Sequence, residues 1–98
     1  MNIQAMMKQA QALQKDMMKA KKEIDEKEFV GESSLVKITL LGSKDIKNVE
    51  IDKDSELTSD DIEMLEDMIL TAVNDAFKKV DADKEAKLSK YQGLAGMI

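Results

Sequence analysis

"LVKITLLGSKDIKNVEID", residues 35–52, decides the fold class of this chain. Val36, Ile38 and Leu40 alternate with more polar neighbours, the period of a strand with one face buried. "GSKD", residues 42–45, is a turn signal. Residues 46–51 resume the alternation through Val49 and Ile51. A short strand at residues 28–32 precedes them. The expectation is a three-stranded antiparallel meander with short loops.

Helices lie on either side. Upstream, Ile3, Met6, Ala10, Leu13, Met17, Ala20 and Ile24 recur at spacings of three and four, like the a and d positions of a coiled coil. No glycine or proline interrupts the chain before Gly31. A helix over about residues 3–26 would be about 35 Å long, too long to be covered by so small a sheet. Its seam therefore calls for another partner, most simply a second copy of the chain. Downstream, Thr58 or Ser59 caps a helix whose first turn carries Asp60, Asp61 and Glu63, the charge that suits a helix N-terminus. Its apolar arc (Ile62, Leu65, Ile69, Leu70, Val73, Ala76, Phe77, Val80) is wide enough to cover the sheet and meet something else. Residues 82–92 read as a separate, more polar helix, and residues 93–98 as a frayed tail. The fold class is α+β: a long N-terminal helix, a three-stranded sheet and two C-terminal helices, in one domain spanning residues 1–98.

Composition narrows the chemistry. The 98 residues contain no cysteine and no histidine, which removes disulfides, thiolate metal sites and the commonest general base. No nucleophile–base arrangement and no glycine-rich phosphate loop can be assembled from the spacing. "DKDSE", residues 52–56, lacks the glycine and glutamate of a calcium loop and reads as a capping turn. No metal, cofactor or enzymatic activity is expected. No apolar run nears the length of a membrane span, so the expected setting is cytoplasmic.

Charge is distributed unevenly. The chain carries a formal net charge of -5, yet residues 1–22 hold five lysines against one aspartate. All fifteen basic residues are lysine. On the heptad of the first helix, Lys8, Lys15 and Lys22 fall at f and Lys19 at c, a stripe opposite the apolar seam. Such a stripe fits a solvated face or a face that reads phosphate. Two features favour phosphate. Lys15 and Lys19 are a like-charge i, i+4 pair with glutamines, not acids, around them. The acids of this helix come late (Glu23, Asp25, Glu26), against the dipole preference. Without arginine, and with aromatics only at Phe29, Phe77 and Tyr91, base readout is poorly supplied, so any duplex binding would be weakly specific and salt-dependent. Four methionines fall on the first helix and Met1 just precedes it; Met6 and Met17 lie in its seam, whereas Met7 and Met18 do not.

"MMKQAQALQKDMMKAKKEI", "LVKITLLGSKDIKNVEID" and "EMLEDMILTAVNDAFKK" resemble, in that order, the first helix, the central hairpin and the second helix of the YbaB/EbfC family of bacterial nucleoid-associated proteins. The resemblance covers about residues 3–80. It implies an intertwined homodimer with helices projecting from a joined β core, and low-specificity binding of double-stranded DNA in the nucleoid. It carries DNA contact onto Lys8, Lys15, Lys19 and Lys22, and onto Lys84, Lys87 and Lys90 at the other end. The expected dimer interface is Ile3, Met6, Ala10, Leu13, Met17 and Ile24 with Ile69, Val73 and Phe77. A DNA repair or replication protein is a further implied partner. The alternative is a dimeric scaffold for a replication, recombination or transcription protein, which the net negative charge and absent arginines favour.

Overall fold

The structure is a computed structural model and describes residues 2–91. Helix α1 (Ile3–Glu26) leads into strands β1 (Glu28–Ser33), β2 (Val36–Leu41) and β3 (Ile46–Ile51), followed by helix α2 (Ile62–Leu88). Single 3-10 turns at Ser59–Asp61 and Ser89–Tyr91 flank α2. The sheet is an antiparallel meander in the order β1-β2-β3. Both hairpins and the α+β class match the alternation read from residues 28–51.

The two expected C-terminal helices are one. Nothing between Val80 and Lys84 breaks a helix: there is no glycine or proline, and Asp83 and Lys87 pair across the next turn at 3.1 Å. The drop in apolar content after Val80 marks where the helix leaves the sheet, not where it ends. The tail expected at residues 93–98 lies outside the described residues. The acidic "DKDSE" run is a turn in which the Asp54 N–H donates to the Asp52 carboxylate at 3.0 Å.

The core lies between α2 and the β1–β2 half of the sheet. Val36, Ile38 and Leu40 are buried on one face of β2, Phe29 on β1, and Ala72, Ala76 and Val80 on α2. Small residues make this contact possible. A Cβ added at Gly31 would stand 2.0 Å from the Ala72 carbonyl oxygen and 2.6 Å from the Ala76 nitrogen. Helix backbone therefore rests on strand backbone, with only two alanine methyls at the contact.

Gly42 serves the other junction. Its Cβ would lie 1.9 Å from the Ile24 carbonyl oxygen, and its N–H donates to the Lys27 carbonyl at 2.9 Å. The end of α1 is thus fastened to the β2–β3 turn. Ile24 is 1% exposed and belongs to the core of its own chain, which corrects its expected place in a dimer interface. The seam looks continuous on a helical wheel, but its last position enters the fold.

The rest of α1 projects. The chain measures 72 × 18 × 16 Å with a radius of gyration of 19.7 Å, against about 13 Å for a compact domain of this length. Ile3 is 68% exposed, Met6 55% and Leu13 47%. Residues near Met17 run beside the last turns of α2, where Met17, Lys21, Lys84, Leu88 and Tyr91 line a cleft.

Gly31→Val should lower the urea midpoint with little change in slope, at a cost of about 3 kcal/mol, because the obstacle is main chain and cannot rotate away.

Candidate nucleic-acid interface

The basic stripe is built by helix periodicity alone. Lys8, Lys15, Lys19 and Lys22 are all exposed and lie on the side of α1 opposite Met17, Ala20 and Ile24. None of the four forms an ion pair among the described residues, whose pairs involve Lys27, Lys37, Lys44, Lys47, Lys79 and Lys87. The Asn2 side chain caps the helix by accepting from the Ala5 N–H at 3.3 Å, so the N-terminus is closed without an acid. The stripe therefore presents uncompensated ammonium groups along a projecting arm, free to replace the counterions of a polyanion.

The second expected group is arranged differently. Lys87 is held by Asp83, which lies 3.5 Å from Lys27 at the end of α1. The paired Asp83 carboxylate raises the Lys87 pKa above its ordinary value, and the Glu23 charge adds to the effect. Lys90 lies over the Tyr91 ring at 5.1 Å. Lys84 is half-buried and lines the α1–α2 cleft beside Met17. Lys84 and Lys87 lie in the last turns of α2, and Lys90 in the 3-10 turn that follows. Their i, i+4 acid and their own aromatic neighbour occupy two of them.

Lys21 was not singled out by the heptad. It falls beside the apolar seam, and folding brings it to the same cleft as Lys84. Only the antiparallel packing of α1 against α2 makes the two neighbours. Lys27 and Lys44 close the base of the arm. Lys27 lies over Phe29, and Lys44 reaches Asp81 at 3.3 Å and sits over Phe77 at 5.3 Å. Lys27, Lys37, Lys44 and Lys47 at the sheet and its turns are paired; among the described residues, the lysines along α1 are not.

The profile of the YbaB/EbfC DNA-binding family matches residues 1–95. The chain belongs to this family. It is 43% identical over 98 residues to a nucleoid-associated protein of Enterococcus faecalis (strain ATCC 700802 / V583), covering 97% of this chain and 93% of the relative. A nucleoid-associated protein of Lactobacillus acidophilus (strain ATCC 700396 / NCK56 / N2 / NCFM) is also 43% identical, over 93 residues, covering 93% of this chain and 83% of the relative. The helix–sheet–helix order of this YbaB/EbfC chain is the one its three sequence motifs imply. Among the described residues no helix is long and apolar enough to cross a membrane.

The pairing pattern gives a contrast that thermal melting can read. Asp83→Ala strands Lys27 and Lys87 and should cost about 1 kcal/mol. Lys19→Ala, on the unpaired stripe, should stay within about 0.5 kcal/mol of the parent.

Proposed function

We propose that this chain is a non-enzymatic, nucleoid-associated protein that binds double-stranded DNA through the arm of α1, with little sequence preference and as a homodimer. The observation that carries the reading is the unpaired lysine stripe on a projecting helix of an otherwise acidic chain, in a member of a DNA-binding family. Lysine supplies point charges for phosphate, and the interspersed Gln4, Gln11 and Gln14 supply hydrogen bonds. Absent arginine leaves no bidentate reader of guanine, so affinity comes from the backbone of the duplex. Lys8, Lys15, Lys19 and Lys22 are the principal contacts, with Lys84, Lys87 and Lys90 secondary because each already has neighbours within the chain.

Dimerisation is supported by an uncovered apolar strip. The flank of α2 that carries Asp75 and Lys79 reaches the outer edge of β1. The opposite flank carries Leu70, Val73 and Phe77 and looks across β3. There Ile46 is 53% exposed and Val49 49%, although both lie on the helix side of the sheet. Leu70 is 63% exposed. α2 is seated too far towards β1 to cover Ile46 and Val49, whereas Ile51 packs against the core. A second copy presenting the same strip would cover both, with Val73 and Phe77 at its margin and Ile69 behind them. Ile3, Met6, Ala10, Leu13 and Met17 remain available on the arm for contact between copies.

Changing both Lys15 and Lys19 to Glu should weaken binding to a random duplex of about 30 base pairs by at least about ten-fold and flatten its salt dependence. Fluorescence anisotropy at several salt concentrations reads both quantities. Equal affinity and slope would remove the stripe from the site. In light scattering the parent should show twice the chain mass of 11.0 kDa. Leu70→Lys combined with Val49→Lys should return it to the monomer, since a buried unpaired charge at an interface is strongly unfavourable.

A further inference from the structure

The two outer edges of the sheet are finished differently. β3 carries a bulge: Thr39 pairs with Asn48 but Leu40 pairs with Ile46, so Lys47 is the extra residue. Such an irregularity discourages the addition of another strand. β1 has no such device. Its register runs unbroken from Glu28 opposite Leu41 to Ser33 opposite Val36, and the chain has no proline to interrupt it. Charge on β1 is a poor deterrent too, because Glu28 is paired with Lys47, and Glu32 lies 4.0 Å from Lys37. A regular six-residue edge of this kind is a template for another strand.

What closes it is a pair of side chains from α2. Lys79 Nζ donates to the Val30 carbonyl at 2.7 Å, and the Glu32 N–H donates to Asp75 Oδ2 at 3.2 Å. Asp75 and Lys79 are one turn apart and pair with each other at 3.3 Å. A carboxylate thus meets an outward N–H and an ammonium meets an outward carbonyl, the complement that an incoming strand would offer. The pair flanks Gly31, where helix backbone touches strand backbone and short reach is possible. The Glu32 N–H bond, followed by the Lys79 ammonium, holds the Asp75 carboxyl below its ordinary range.

We propose that Asp75 and Lys79 form an edge lock. They keep β1 shut to strand addition and so confine self-association to the β3 side of the molecule. Unlocked, β1 becomes a second association surface whose occupant is β1 of another copy, antiparallel and centred on Val30. Identical edges are present on every molecule, and Val30 is the half-buried apolar residue at the middle of this one. If the β3 side is already closed by a partner, a second surface links closed pairs into open-ended chains.

Two variants separate the lock from the ion pair. Asp75→Ala with Lys79→Ala removes both bonds. Asp75→Lys with Lys79→Asp keeps an i, i+4 ion pair and the net charge but points each group at the wrong backbone partner. Both should speed exchange of the Glu32 amide by at least about ten-fold in hydrogen-exchange NMR. Both should raise the weight-average mass at about 100 μM to at least twice that of the parent. Lys79→Gln is a milder version should the doubles fail to fold, with the same readouts in the same direction. Folded variants with parental mass, or a Glu32 amide that exchanges as in the parent, would overturn the lock. The readouts are independent of DNA binding, so loss of the proposed DNA role leaves the lock standing, and the reverse.

Discussion

The seating of α2 on Gly31 is the constraint on which the rest depends. A helix and a strand can meet backbone to backbone only where neither carries bulk, and Ala72, Ala76 and Gly31 provide that place. The close contact draws α2 towards β1, away from the middle of the sheet. Three consequences follow from this one displacement. Asp75 and Lys79 come within reach of the outer edge of β1. The helix-side face of β3 is left uncovered at Ile46 and Val49, while Ile51 still packs against the core. The last turns of α2 are carried past the sheet to lie against α1.

Charge is organised by the same geometry. At the base of the arm, where α1, α2 and the β2–β3 turn converge, Lys27, Lys44 and Lys87 have acidic partners. Along α1 the lysines have none among the described residues. Exposed pairs of this kind contribute little to stability individually. Their significance is electrostatic: the acidic body is neutralised where it meets the arm, and the arm keeps its positive field. An acidic chain can therefore approach a polyanion by one helix while the remainder stands off.

Much of this was legible in the residues. Alternation in 35–52 located both hairpin strands, and the three-and-four spacing from Ile3 to Ile24 located α1 and its lysine stripe. Each is a pattern within a single element, and elements of strong periodicity are insensitive to context. Where the local pattern changes for a tertiary reason, spacing alone misleads. The polar stretch after Val80 looked like a new helix because it no longer had a sheet to face. Ile24 looked like one more position in an intermolecular seam, whereas the approach of Gly42 makes it part of the core. Lys87 and Lys90 carry the same charge as the arm lysines, but the fold sets Asp83 and the Tyr91 ring beside them, which spacing alone does not show.

Spacings of two, three and four residues encode the identity and order of the elements, the face of α1 that is basic and the face that is apolar. Which charges are neutralised, which edge of the sheet is closed and which apolar face is bare are settled by packing between elements. Those outcomes rest on contacts between residues far apart in the chain: Glu32 with Asp75, Val30 with Lys79 and Lys27 with Asp83 are separated by 43, 49 and 56 positions. No local periodicity encodes such a meeting. It follows from where a glycine and two alanines allow one backbone to rest on another.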